Sequence, residues 1–389
     1  MCKGSEVEIL KVLLTGALGN VGLSTLKVLL DKGYDVRIFE IKNRRNKKLV
    51  KKYKNKIEII WGDLRDKEAV SKAIQNQDIV LHLAAIIPPL ADVNPQLAES
   101  VNVGGTKNIL EALQKQANKP KIIYTSSIAV YGDRRHNPMI DVNDPLVPSK
   151  GDYYAITKIT AERLIRESGL DFAIFRLTYI TSIDKLNMDP LMFHMPLDTF
   201  IEICDTKDVG LALVNAIGCD DIWGETFNIA GGKECRTTYR EYLNDMMEIF
   251  GLGRDFLPEE GFAEKDFHCG YMNTSKSQTL LNYQKHTLED YYTEVKNKIG
   301  PRKHFMPAIR WIIRLNLLKR SERYRRYRLF RKKAGAFTVS ENKLIRKILA
   351  ANFNRIEQLE KKVETLEQLT SDLIVNTNNV SHFNQSQSI

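Results

Sequence analysis

Cysteine is scarce in this chain. There are five in 389 residues (Cys2, Cys204, Cys219, Cys235 and Cys269), with no Cys-x-x-Cys spacing. An odd, scattered set argues against a disulfide framework and a structural zinc site, and fits a reducing compartment. Long apolar runs are lacking too: no stretch approaches the ~20 residues of a membrane-spanning helix. Met1 to Glu8 does not have the basic-then-apolar layout of a secretory leader. Together these absences predict a cytoplasmic location. What is present is ordinary for a folded globular protein, 43% hydrophobic and 27% charged residues, and the length allows two or three domains.

The formal net charge of +10 is local. Residues 302–333 hold thirteen of the 58 Lys and Arg and a single acid, Glu322, leaving 45 basic and 47 acidic residues elsewhere. The basicity therefore belongs to one segment.

From residue 9 to 130, strand-length apolar runs alternate with amphipathic stretches. The runs are Ile9 to Leu14, Asp35 to Phe39, Ile57 to Ile60, Ile79 to Leu83 and Lys121 to Thr125. Leu23 to Lys32 repeats its apolar residues at three and four. Strict alternation of this kind predicts βαβ units and a parallel sheet covered on both faces. Later strands are expected at Phe172 to Leu177 and Thr226 to Ile229.

Thr15-Gly16-Ala17-Leu18-Gly19-Asn20-Val21-Gly22 follows the first strand and opens the first helix. Glycines there permit a tight turn and close approach to a pyrophosphate seated on helix N-terminal amides, so Gly16, Gly19, Asn20, Val21 and Gly22 are candidate cofactor contacts. Taken alone, the pattern is also that of an ordinary glycine-rich turn. Glu40, eighteen residues after Gly22, ends the second strand, where a carboxylate accepts the hydroxyls of an adenine ribose and repels a 2′-phosphate. NAD is therefore expected over NADP, with Arg44 and Arg45 pulling the other way.

Gly62-Asp63-Leu64-Arg65-Asp66 follows the third strand, His82-Leu83-Ala84-Ala85 ends the fourth, and Asn102-Val103-Gly104-Gly105-Thr106 comes next. With these motifs the chain, over about residues 9–295, resembles the extended short-chain dehydrogenase/reductase family, also called the NAD-dependent epimerase/dehydratase family. The resemblance implies an α/β Rossmann fold, a doubly wound parallel sheet with a small C-terminal substrate domain. It implies that Asp63 and Leu64 flank the adenine and that Ala84 and Ala85 line the cofactor. Asn102 would belong to an Asn-x-x-Gly-Thr helix start, as a cofactor-site residue or as a structural helix entry.

Ser126-Ser127-Ile128-Ala129-Val130-Tyr131-Gly132 follows the fifth strand, and Tyr153-Tyr154-Ala155-Ile156-Thr157-Lys158 opens a helix. Tyr154 and Lys158 are four apart and share a face. A phenol titrating near 10 is a poor base at neutral pH, and a neighbouring ammonium is expected to lower it. Ser127 would hold the same substrate oxygen while Tyr154 moves the proton and hydride passes to or from nicotinamide. Tyr153 has no lysine four residues on.

Two departures from the family narrow this chemistry. Dehydratases and decarboxylases of the family carry an acid just after the serine, where this chain has Ile128 and Ala129, so epimerisation or carbonyl/alcohol redox chemistry is expected. Nucleotide-sugar enzymes usually show Arg-x-x-Asn after the sixth strand; here Arg176-Leu177-Thr178-Tyr179 ends in a tyrosine. A sugar derivative fits without being demanded. A different class of function is an NAD(H)-sensing protein that signals or scaffolds through its tail, although such a sensor has no need of Ser127, Tyr154 and Lys158.

The domains expected are 1–177 for dinucleotide binding, completed by about 203–230, with 178–202 and 231–299 as the substrate portion. Residues 300–335 form a basic amphipathic segment ending in a hinge at Ala334-Gly335-Ala336. That segment reads as a helix packed on the main domain or lying on an anionic membrane surface; nucleic acid is the weaker reading, because no recognised module accompanies the charge. Residues 340–375 read as a coiled-coil helix: from Ile345 a seam through Leu349, Asn352, Ile356, Leu359, Val363, Leu366, Thr370 and Leu373 predicts a homo-oligomer. Residues 376–389 read as disordered.

Overall fold

The structure, a computed structural model, describes residues 9–186, 188–264 and 267–335. The coiled-coil seam and the polar tail expected beyond residue 335 lie outside the described residues. The chain divides into two compact units, Met1–Leu317 and Leu318–Ile389; the expected dinucleotide and substrate portions both fall in the first.

That unit is built on β1 (Lys11–Thr15), β2 (Asp35–Glu40), β3 (Glu58–Trp61), β4 (Ile79–His82), β5 (Lys121–Ser127), β6 (Met139–Ile140), β7 (Phe172–Leu177), β8 (Tyr179–Thr181), β9 (Phe200–Asp205), β10 (Glu225–Ile229), β11 (Arg236–Thr238) and β12 (Tyr271–Met272). Its helices are α1 (Asn20–Asp31), α2 (Arg44–Leu49), α3 (Lys67–Ile74), α4 (Leu90–Val93), α5 (Pro95–Ala98), α6 (Gly105–Gln114), α7 (Tyr153–Arg166), α8 (Thr206–Ile217), α9 (Tyr239–Ile249), α10 (Ser275–Leu281) and α11 (Leu288–Ile299). Two more follow, α12 (Met306–Arg320) and α13 (Glu322–Gly335).

Seven strands form one sheet in the order β3-β2-β1-β4-β5-β7-β10, and every pairing in it is parallel. Side chains alternate across its strands, as the two-residue period requires. Val12 and Leu14 face a core shared with Leu26 and Leu29 of α1 and with Val209 and Leu213 of α8. Leu13, Val80 and Ile122 face the other layer, with Val70 of α3, Ile109 of α6 and Ala161 of α7. Helices thus cover both faces, as the alternating pattern predicts, and the expected strands at Phe172 to Leu177 and Thr226 to Ile229 are β7 and β10.

The smaller portion carries a three-stranded sheet, β11-β9-β8. Over it lies a buried aromatic layer in which Tyr242 meets Tyr179 at 6.0 Å and Phe193 meets Phe262 at 5.2 Å between ring centroids.

Two expectations are corrected. Asn102 to Thr106 does not start a helix. A π-helical turn (Glu99–Gly104) joins α5 to α6, with Asn102 inside it and the Thr106 hydroxyl donating back to Asn102 O at 2.6 Å. Likewise, the basic segment is not continuous up to a hinge at 334: it breaks at Ser321, whose hydroxyl accepts from Tyr324 N at 3.1 Å. Helix α13 then runs to Gly335.

Sheet order reverses between β1 and β4, and buried polar groups bind the two strand ends. Thr15 Oγ1 lies 2.8 Å from His82 Nδ1, and His82 Nε2 lies 3.0 Å from Thr106 Oγ1. Because the Thr106 hydroxyl already donates to Asn102 O, the ring proton is assigned to Nε2 and Nδ1 accepts from Thr15. Burial, then the nearby Lys158 charge, pushes the His82 pKa down to about 3. The unfolded chain therefore takes up this proton first. Stability from a neutral His82 is full above about 6.5 and is lost as pH falls toward 3. Urea unfolding should show the protein losing about 2 kcal/mol between pH 7 and pH 5 from this group, and His82→Gln should flatten that dependence.

Candidate functional site

A cleft of about 590 Å³ opens over the carboxyl ends of β1, β2, β4 and β5. Parallel sheets place ligands at such a switch point, because the connections on its two sides run to opposite faces. Thirteen of the fourteen residues singled out from the sequence line it: Gly16, Gly19, Asn20, Val21, Gly22, Glu40, Asp63, Leu64, Ala84, Ala85, Ser127, Tyr154 and Lys158. Asn102 is set back. Its side chain accepts from Ile86 N at 2.7 Å and donates to Ile86 O at 2.9 Å and to the Thr157 hydroxyl at 3.0 Å. It steadies the Ile86 segment that forms the wall.

The floor of the cleft is backbone. Gly16 has φ +71°, and a Cβ there would lie 2.8 Å from Ala84 N; one at Gly22 would lie 2.1 Å from Gly16 O. Glycine is required at both positions. Gly19 precedes α1 without a side-chain cap, so the helix N-terminal amides face a surface that accepts an anion. At the far end Glu40 accepts from Leu18 N at 2.7 Å and from Asn46 Nδ2 at 3.2 Å. Each oxygen keeps a lone pair for a hydroxyl donor. Burial raises the Glu40 pKa, opposed by the Leu18 hydrogen bond and the Arg45 charge. Of the two arginines set against NAD in the sequence, only Arg45 lines the cleft, with its guanidinium donating to Leu18 O at 3.1 Å. Asp63 is held by Arg65 at 2.6 Å, which lowers its pKa. These residues fit a dinucleotide: a cradle without side chains for the pyrophosphate, a carboxylate for the ribose, and Asp63 and Leu64 beside the base.

At the opposite end α7 presents Tyr154 and Lys158. Asp152 caps this helix, accepting from Ala155 N at 2.9 Å, and lies 2.5 Å from His268 Nδ1. Ser127, whose hydroxyl accepts from Ala129 N at 3.2 Å, lines the cleft beside Tyr154 and acts to lower the phenol's pKa. Lys158 is 2% exposed and donates to Thr125 O at 2.7 Å, with its ammonium 5.7 Å from the Tyr154 ring centre. The expected lowering of the phenol by this lysine is not what the protein alone produces. Burial raises the Tyr154 pKa, and Ser127 offsets that only in part. Burial also drives Lys158 down to about 7, against the opposing pull of Glu162. Protein alone therefore keeps the phenol protonated and the ammonium half-titrated near neutrality.

Sequence reasoning missed the apolar wall of Ile86, Ile87, Leu97, Val101 and Ile180, and also Thr178 and Asn46. Periodicity marks such residues as core, and only the loop paths bring them to the cleft. Tyr179 turns into the aromatic layer, and Arg176 is buried against Glu162 (2.9 and 2.7 Å) with Tyr131.

Fold and site together define an α/β protein with a doubly wound parallel sheet, whose cleft fits a dinucleotide and carries a serine, a tyrosine and a lysine at one end. The 3-beta hydroxysteroid dehydrogenase/isomerase family matches residues 13–171. The 3 beta-hydroxysteroid dehydrogenase/Delta 5-->4-isomerase of Mycobacterium tuberculosis is 34% identical over 170 residues, 42% of this chain and 44% of that protein. The chain therefore spans less than half the length of that relative. A Methanocaldococcus jannaschii protein bearing the name of a UDP-glucose 4-epimerase is 28% identical over 299 residues, covering 69% of this chain and 92% of its own. Among solved structures, the UDP-glucuronic acid 4-epimerase of Bacillus cereus, in complex with UDP-glucuronic acid and NAD, superposes with a TM-score of 0.62. It is 21% identical, covering 74% of this chain and 100% of that one. Over its first half the chain is thus similar to hydroxysteroid dehydrogenases and to 4-epimerases, and its fold is that of the solved epimerases.

With lysine Cε labelled, the NMR signal of Lys158 should titrate near pH 7 in the dinucleotide-free protein, whereas exposed lysines titrate near 10.4. A Lys158 midpoint above 9 would contradict the burial argument.

Proposed function

We propose that the chain is an NAD-dependent epimerase or oxidoreductase acting at a hydroxyl or carbonyl carbon, with a sugar derivative as a fitting substrate. One observation carries this reading: Ser127, Tyr154 and Lys158 stand in the wall of the same cleft whose floor is the Gly16 to Gly22 backbone cradle. A nicotinamide dinucleotide bound there would supply the hydride acceptor or donor. Ser127 and Tyr154 together hold the substrate oxygen, and Tyr154 gives or takes its proton. Lys158, buried beneath them on Thr125 O, supplies positive charge when a phenolate forms. Ile128 and Ala129, 3% and 0% exposed, follow Ser127, where an elimination would need an acid. This favours redox or epimerisation over dehydration.

The relatives fit the same chemistry. Their names give 4-epimerisation of UDP-glucose and of an undecaprenol-diphospho-linked N-acetylglucosamine, and dehydrogenation of 3 beta-hydroxysteroids. Retention of the dinucleotide through purification would favour the epimerase, and exchange the dehydrogenase. Mass spectrometry of the co-purifying nucleotide distinguishes these.

Calorimetric titration should show NAD binding more tightly than NADP, because the half-buried Glu40 carboxylate repels a 2′-phosphate. Tighter binding of NADP would overturn the cofactor assignment. In an assay over UDP-sugars and 3 beta-hydroxysteroids, Tyr154→Phe should lower turnover of whichever substrate reacts by ~10²–10⁴-fold. Its NAD affinity should stay near that of the parent. Near-normal turnover in this variant would remove Tyr154 from the mechanism.

A further inference from the structure

Helix α12 carries apolar residues on its outside. Ile309, Trp311, Ile312 and Leu315 are 44%, 62%, 42% and 48% exposed, and their spacings of three and four place them on one face. Phe305, just ahead of the helix, is 74% exposed. Ile313 and Leu317 fall on another side and are half-buried and buried. The helix thus has an inward face already, and the Arg310 guanidinium rests over the Phe256 ring at 5.9 Å. Cations flank the outward face: Arg302 and Lys303 precede the helix and Lys319 and Arg320 end it, while Arg310 and Arg314 fall on the side of Leu317. No acid occurs from Gly300 to Ser321.

We propose that α12 docks in the plane of an anionic lipid surface. Trp311, Ile312, Leu315 and Ile309 enter the interface, and the flanking arginines and lysines meet lipid phosphates. Charge decides between occupants. A second copy would set two acid-free cationic faces against each other, which repels. A nucleic acid would neutralise the cations but leave the apolar face in water, with nothing gained from Trp311. Among the described residues no helix is long and apolar enough to cross a membrane, so the helix lies on the surface. The inference does not depend on the redox reading of the cleft.

The test is sedimentation of the full-length protein with vesicles of phosphatidylcholine alone or mixed with phosphatidylglycerol. The protein should bind the mixed vesicles and bind pure phosphatidylcholine far less. Binding should weaken as salt rises to about 0.5 M. Combined Trp311→Ser, Ile312→Ser and Leu315→Ser should reduce it by about tenfold or more. All three side chains are exposed, so dinucleotide affinity and oligomeric state should be retained, which separates this outcome from any failure of the cofactor assignment. Brominated lipid should quench the parent's fluorescence more than that of Trp311→Ser. Equal vesicle binding by parent and triple variant overturns the proposal. So does salt-insensitive binding to neutral vesicles, and so does loss of an oligomer with vesicle binding unchanged, which would assign the face to a second copy.

Discussion

A parallel sheet that reverses its strand order leaves two neighbouring strands whose chains depart to opposite faces, and the gap between their ends must be held open without collapsing. Here those strands are β1 and β4. Their ends are joined by the buried Thr15, His82 and Thr106 bonds, with Leu83 N and Ala84 N also donating to the Thr15 hydroxyl at 3.2 Å. The bonds fix where Ala84 passes Gly16, and that approach leaves no room for a Cβ. The cradle, the turn into α1 and the entry to the Ile86 wall all follow from it. A neutral imidazole suits this place because it donates on one side and accepts on the other, and burial keeps it neutral.

Burial also sets the chemistry at the other end of the cleft. Tyr154 and Lys158 are both pushed toward their uncharged forms. In the protein-only state the phenol therefore stays protonated, and a positive ring placed beside it would favour proton loss from it. Beneath the pair, Glu162 is bound by Arg176, whose Nη1 also donates to the Tyr131 hydroxyl at 2.7 Å and to Val142 O at 2.8 Å. Removing one member of such a buried ion pair leaves a charge without a partner, a loss of about 3–5 kcal/mol. This pair reaches from α7 to β7, so the helix bearing Tyr154 is tied to the sheet that bears the cradle.

The smaller portion follows a different logic. Its buried tyrosines Tyr239, Tyr291 and Tyr292 stack around Tyr242, whose ring meets Tyr179 edge-on at the position where nucleotide-sugar enzymes usually carry asparagine. The side of the cleft nearest to it is lined by Thr178 and Ile180. The end of the cleft built on the glycine turn thus follows a pattern legible in the sequence, while the end nearest the smaller portion has its own composition.

The dinucleotide half was legible in the sequence because its signals are local. Strands and helices there are set by two-residue and 3.6-residue apolar periods, glycine positions by the turn they allow, and the Tyr154 to Lys158 spacing by one helical turn. Each survives whatever the rest of the chain does. Three things needed tertiary structure. Asn102 sits in a recognisable motif, but only the path of the Ile86 loop turns its amide into a wall support. The protonation of Tyr154 and Lys158 depends on how deeply α7 is buried, and spacing alone suggested the opposite direction for the phenol. The apolar wall, from Ile86 to Ile180, is drawn from segments almost a hundred residues apart, each of which reads by itself as ordinary core. Burial and long-range adjacency are properties of the packed chain, so no local pattern encodes them.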